Sequence, residues 1–127
     1  MGFQIQPRQD GFFYGISLPT IAENGSSRVE RFDMKFRRIS RSKINALLKA
    51  QDELSESDIE IDGLQRDADY IMEVAEGWRH VSGPDGSDLT FNRDNLMLVL
   101  DAYPSAAGAI IKGFIESTMG GGAKRKN

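Results

Sequence analysis

"EGWRHVSGPDGSDLTF", Glu76 to Phe91, carries the only Trp and the only His of the chain beside a Gly-Pro-Asp-Gly turn. Upstream, Ala68, Ile71, Met72 and Ala75 recur at helical spacing, with Leu64 one turn earlier and Val74 and Trp78 extending the stripe. That periodicity predicts a helix ending near Gly77-Trp78, with His80 as a polar residue after it. Downstream, Asn92 fits an N-cap, Phe91 the position before it and Leu96 the fourth helical position, the spacing of a hydrophobic staple. Pro84 suits the first central position of a turn completed by Asp85-Gly86. The stretch therefore reads as the joint between two packed helices.

Working outward, "GFFYGISL" (Gly11 to Leu18) is rich in strand formers, and "RVERFDMKFRRI" (Arg28 to Ile39) alternates. Phe32, Met34 and Phe36 fall on one side; Arg31, Asp33, Lys35 and Arg37 fall on the other. Between them "PTIAENGSS" offers Pro19 and an Asn24-Gly25 pair, predicting a hairpin with a rather long connection. A lone hairpin is marginal in water, so the helices that follow are expected to cover its apolar side. At Ser40 the period changes, and Ile44, Leu47, Leu48 and Gln51 predict a helix of about three turns capped by Ser40 or Ser42. The acidic "ELSESDIEIDG" (Glu53 to Gly63) offers a cap for a second helix. A third helix carries Leu96, Leu98, Val99 and Leu100 and stops at Pro104, which suits the first turn of the next. That last helix, about Pro104 to Thr118, buries Ala107, Ile110, Ile111, Phe114 and Ile115. The fold class is α+β: an N-terminal β-hairpin followed by a mainly α-helical region of about four helices. Residues 1–118 read as a single domain and residues 119–127, "MGGGAKRKN", as a flexible Gly-rich basic tail.

The chain of 127 residues can bury one core, and its 39% apolar and 28% charged residues are ordinary for a globular protein. No apolar run approaches the roughly 20 residues that span a bilayer, and residues 1–20 lack a signal-peptide pattern, so a cytoplasmic location is expected. The lack of Cys excludes disulfides, thiolate catalysis and Cys-ligated zinc. The net charge of −3 hides segregation: seven Lys/Arg against two acids from Arg28 to Lys43, then ten acids against one Arg from Asp52 to Glu76. Solvated or mutually compensating faces explain this more simply than a dedicated binding patch.

Reactive chemistry finds little support. Asp85 and Asp88 fall short of the oxygen ligands of a calcium loop, and turn chemistry explains them. His80 has Ser82 and Asp85 nearby in sequence, but no nucleophile elbow or oxyanion site accompanies them, and one His cannot form a catalytic zinc set. Lys124 follows a Gly run without the Ser/Thr or the helix of a phosphate loop. Neither catalytic nor metal or cofactor-binding residues are expected. A small nucleic-acid-binding regulator would use the basic strand Arg28–Lys43 and the tail cations Lys124, Arg125 and Lys126. A pI of about 5.2 counts against it, and no aromatic residue alternates with those basic side chains on the wet face to stack bases.

Taken in order, "RFDMKFRRIS", "INALLKAQDEL" and "VAEGWRHVSGPDGSDLTFNRDNLMLVLDAYPSAAGAIIKGFIES" resemble a bacteriophage tail assembly chaperone of the long-tailed siphophage type. The likeness runs from about residue 12 to 118, with Trp78, Val81, Gly86, Phe91, Leu96 and Phe114 as the structural core of the pattern. The resemblance implies a non-enzymatic protein of the host cytoplasm. It would bind the tape measure protein, keep that long helical chain soluble and help recruit tail tube protein, without remaining in the finished tail. No membrane, cofactor or nucleic acid enters that role, and self-association into a homo-oligomer is compatible with it. Such a task needs an adaptable amphipathic surface and charge that prevents runaway association. Many members are made in two lengths by a ribosomal frameshift, for which "GGGAKRKN" is the place to look; codons, not residues, decide it.

Overall fold

The computed structural model describes residues 10–57 and 63–119. The expected basic tail beyond Met119, and residues 58–62 within the expected cap of the second helix, lie outside them.

The alternating segment forms β2 (Ser27–Phe36), which pairs antiparallel with β1 (Phe12–Ile21). The hairpin is tighter than its composition suggests, because Pro19, Thr20 and Ile21 pair with Val29, Arg28 and Ser27 and leave only Ala22–Ser26 as the connection. Pro19 is tolerated for a specific reason. The Ala22 N–H bonds the Ser26 carbonyl, so the bonding pairs alternate through Thr20 and Leu18, and Pro19 turns its missing donor to the open edge of the sheet. Gly25 takes φ 88° in the turn and donates to the Ala22 carbonyl at 2.8 Å. Asn24 Oδ1 accepts from the Ser26 N–H at 3.0 Å and hydroxyl at 2.7 Å.

Helix α1 (Arg41–Ser57) starts where the period changes, with Ser40 Oγ accepting from the Lys43 N–H at 3.3 Å. It is longer than the expected three turns. No Gly or Pro interrupts residues 41–57, so the helix propagates into the acidic stretch that was expected to open the second one. Ile44 is buried and Leu47 and Leu48 are half-buried against the core.

Helix α2 (Gly63–Val74) buries Ala68, Tyr70, Ile71 and Val74, and it ends earlier than the apolar stripe does. Here the structure corrects the sequence reading. Ala75–Arg79 is a third strand, β3, antiparallel to β2, and Trp78 lies opposite Met34 rather than at a helix end. The register slips between Lys35 and Phe36, so that Gly77 faces Lys35 while Ala75 faces Phe36 and Glu76 is the extra residue of a bulge. The bulge is the source of the misreading. It puts Ala75 and Trp78, three residues apart, on one face of a strand, which is the spacing of a helix. Gly11 makes room for it: a Cβ there would meet the Phe36 carbonyl oxygen and come 2.7 Å from a Glu76 carboxylate oxygen.

Helix α3 (Arg93–Ala102) begins as expected, with Asn92 at an extended φ of −155° and its side chain accepting from the Asn95 N–H at 2.8 Å. The turn Tyr103–Ala106 holds Pro104 just outside helix α4 (Ala106–Met119), not in its first turn as expected. Helices α3 and α4 meet at 114°, and among the described residues no single helix is long and apolar enough to cross a membrane.

The sheet order is β1-β2-β3, and one face of it carries the core. Phe32, Met34 and Phe36 are buried there, as the alternation predicts, under α4 on β1 and α2 on β3, while α3 packs on α2 and α4. The hairpin is therefore covered by helices of its own chain. Helix α4 approaches closely through Gly113, where a Cβ would stand 2.6 Å from Ile16 Cδ1. Ile16 is only 3% exposed, so its methyl cannot swing aside into solvent. Gly113→Ala gains helix propensity of about 0.5–1 kcal/mol but overpacks this contact by about 1–3 kcal/mol. The expected net result is destabilisation by about 1 kcal/mol in urea unfolding; a stabilised variant would show that the layers part easily.

Candidate functional site

The residues of the Trp78-to-Phe114 pattern separate into two places. Leu96 and Phe114 are fully buried in the core. Trp78, Val81 and Phe91 gather at the joint that follows β3, and Gly86 turns its loop. The Trp78 and Phe91 rings meet edge to face, with centroids 5.0 Å apart and planes at 79°. Trp78 Nε1–H donates to the Leu89 carbonyl at 2.6 Å, and the Leu89 N–H donates to the Val81 carbonyl at 2.9 Å. A hollow of about 260 Å³ lies between Trp78, His80, Val81 and Leu89.

The loop itself is a small hairpin. Gly86, at φ 85°, donates to the Gly83 carbonyl at 2.9 Å, which puts Pro84 at the first central position of the turn as expected. Asp85 accepts from the Ser87 hydroxyl at 2.7 Å and N–H at 3.0 Å, the same Asx-Gly-Ser arrangement that closes the β1–β2 turn. The Ser87 hydroxyl, and then its N–H, hold the Asp85 carboxyl below the usual carboxylate range. Its stabilising contribution is thus present above the unfolded-state carboxylate pKa and lost as the pH falls through the lowered folded value. In Ser87→Ala, NMR titration should find Asp85 ionising at higher pH than in the wild type.

His80 adopts φ 68°, the left-handed region that costs a residue with a Cβ, and its side chain is exposed. Its Nε2 lies 3.8 Å from Asp33 Oδ2. The neighbours considered from sequence are engaged elsewhere: Asp85 with Ser87, and the Ser82 backbone in a bridge with Asp88. Among the described residues no group of three His, Asp or Glu side chains is placed to hold a metal ion. His80→Gly should relieve the backbone cost and raise stability by up to about 1 kcal/mol, readable as a higher Tm; a loss would mean that the Asp33 contact outweighs the strain.

Among the described residues no helix covers the other face of the sheet, whose side chains are exposed or half-exposed. Register sets Phe13 opposite Lys35, Gly15 opposite Asp33, Ser17 opposite Arg31 and Arg79 beside Asp33. Arg79 stacks 3.9 Å from the Phe13 ring and donates to Asp33 at 2.8 Å. Glu76 in the bulge meets Lys35 at 3.5 Å and Arg37 at 3.7 Å, while Lys43 pairs with Glu73 at 3.7 Å. The basic and acidic segments thus partly compensate each other, as their segregation suggests. Arg31 differs: its guanidinium donates to Ser17 Oγ at 2.9 Å and meets no carboxylate among the described residues. No aromatic alternates with the cations along β2, as expected, but the neighbouring strand β1 sets Phe13, 41% exposed, among them. Val29 and Ile21, 52% and 70% exposed, extend the bare face toward the hairpin turn.

A family model described as phage tail assembly chaperone matches residues 4–127, nearly the whole length. The chain belongs to this family. Comparison with curated proteins and with solved structures returns no match. As a tail assembly chaperone the protein works with tail proteins. The bare sheet face of the chaperone was hidden in the sequence because Phe12 and Phe13 are both aromatic. Only the pairing of Phe12 with Phe36 and of Phe13 with Lys35 says which of them is inside.

Proposed function

We propose that this chaperone binds the tape measure protein in the host cytoplasm, keeps that chain soluble and helps recruit tail tube protein, leaving before the tail is finished and catalysing no reaction. The family match over residues 4–127 carries the reading, and the order of hairpin and helices supports it. Co-expression with a tape measure protein from the same genome should yield a soluble complex. If the tape measure protein is equally insoluble with and without the chaperone, the reading fails.

One observation favours a second reading, a nucleic-acid-binding regulator: Phe13 supplies the stacking ring that the basic strand lacks in sequence. Binding to single-stranded oligonucleotides that weakens steeply with salt would support it, and absence of binding at low salt would remove it.

A further inference from the structure

We propose that the bare face of the sheet is the client-holding surface of this chaperone, and that it takes an acidic amphipathic segment of a tail-protein partner. The inference rests on the chaperone reading and adds the face and the chemistry of the client.

Charge complementarity argues for the occupant. Four permanent cations, Arg31, Lys35, Arg37 and Arg79, share this face with two carboxylates, Asp33 and Glu76, in a chain whose net charge is −3. The two carboxylates are already spent on Arg79, Lys35 and Arg37, so the face as a whole stays positive. Arg31 is held by the Ser17 hydroxyl with the rest of its planar fork turned to solvent, which suits a carboxylate arriving from outside. The apolar half of the complementarity is also present. Phe13, Val29 and Ile21, three of the exposed large apolar side chains among the described residues, lie on this same side of the sheet. Gly15, Ser17 and Gly77 between them have little or no side chain, leaving room for a helix or strand to settle against the backbone. Apolar anchors beside cations fit a segment with an apolar stripe and acidic flanks. A nucleic acid would also meet the cations, but Val29 and Ile21 offer its backbone nothing.

The test uses the full chain with the tape measure protein of the same genome as the probe, in titrations with wild type, Arg31→Glu, Phe13→Ser and, as a control on α3, Leu98→Ser, whose side chain is 62% exposed. Arg31 and Phe13 lie outside the core, so both variants should stay cooperatively folded, Phe13→Ser losing only its contacts with Arg79 and Lys35, and Arg31→Lys guards against an unstable reversal. The expected result is binding at least about tenfold weaker for Arg31→Glu and Phe13→Ser, near wild type for Arg31→Lys and Leu98→Ser, and weaker for wild type as salt rises. Wild-type affinity in folded Arg31→Glu and Phe13→Ser overturns the face while leaving the chaperone function standing. No binding by wild type overturns the function, and the proposal with it. Tight binding of wild type to a single-stranded oligonucleotide, lost in Arg31→Glu while the tape measure protein still binds that variant, replaces the acidic client by nucleic acid.

Discussion

Phe36→Ala is expected to lower the free energy of unfolding by about 3–5 kcal/mol, the largest single loss in this fold. Phe36 is fully buried at the point where the layers meet. Its ring stands edge-on to Phe114 of α4 at 5.4 Å and contacts Phe12 and Tyr14 of β1 at 6.0 and 6.5 Å. Its backbone pairs with Ala75 at the bulge. Removing the ring opens a cavity bordered by β1, β2, β3 and α4 together, and no one of these elements can close it without leaving another. Phe36→Leu keeps most of the volume and should cost less than about 1.5 kcal/mol. Urea unfolding of the two variants checks this, and a loss for alanine no larger than for leucine would show that α4 does not close over the sheet.

Trp78→Ala should cost about 2–4 kcal/mol, somewhat less than a fully buried Trp because the ring is half-buried. Three contacts go at once: the cross-strand position opposite Met34, the edge-to-face contact with Phe91 and the bond to the Leu89 carbonyl. Trp78→Phe separates them. It keeps an aromatic ring against Phe91 but leaves the Leu89 carbonyl without its donor, so about 1–2 kcal/mol of the loss should remain. His80→Ala, two residues on and exposed, should change stability by less than about 0.5 kcal/mol in either direction. Equal, small effects at Trp78 and His80 would mean that the β3 joint is not held as described.

These two positions mark where reading the sequence succeeds and where it stops. The alternation of Phe32, Met34 and Phe36 with charged residues places Phe36 in the core, and the structure buries all three. The helical spacing places Trp78 on an apolar face, as the structure does, but that face belongs to β3 and not to a helix. Of the candidate surface, the cations of β2 were visible in the sequence, whereas Phe13, Arg79 and the small residues that complete it were not grouped with them. Residues that share a face across three strands lie far apart in the chain, and only the register assembles them.

Short-range physics accounts for the features that were legible from the chain alone. The two Asx-Gly-Ser turns, the Asn92 cap, the Pro104 break and the two-residue period of β2 each depend on neighbours within a few positions, so each is written locally. Long-range packing, by contrast, makes Ala75–Arg79 leave the helix and join the sheet. Glu76, Gly77 and Arg79 have little intrinsic preference for a strand, and the segment becomes one because the open edge of β2 has backbone groups to satisfy and Met34 and Phe36 have apolar faces to cover. The bulge at Glu76 then gives that strand the spacing of a helix, which is why the pattern around Trp78 pointed the wrong way.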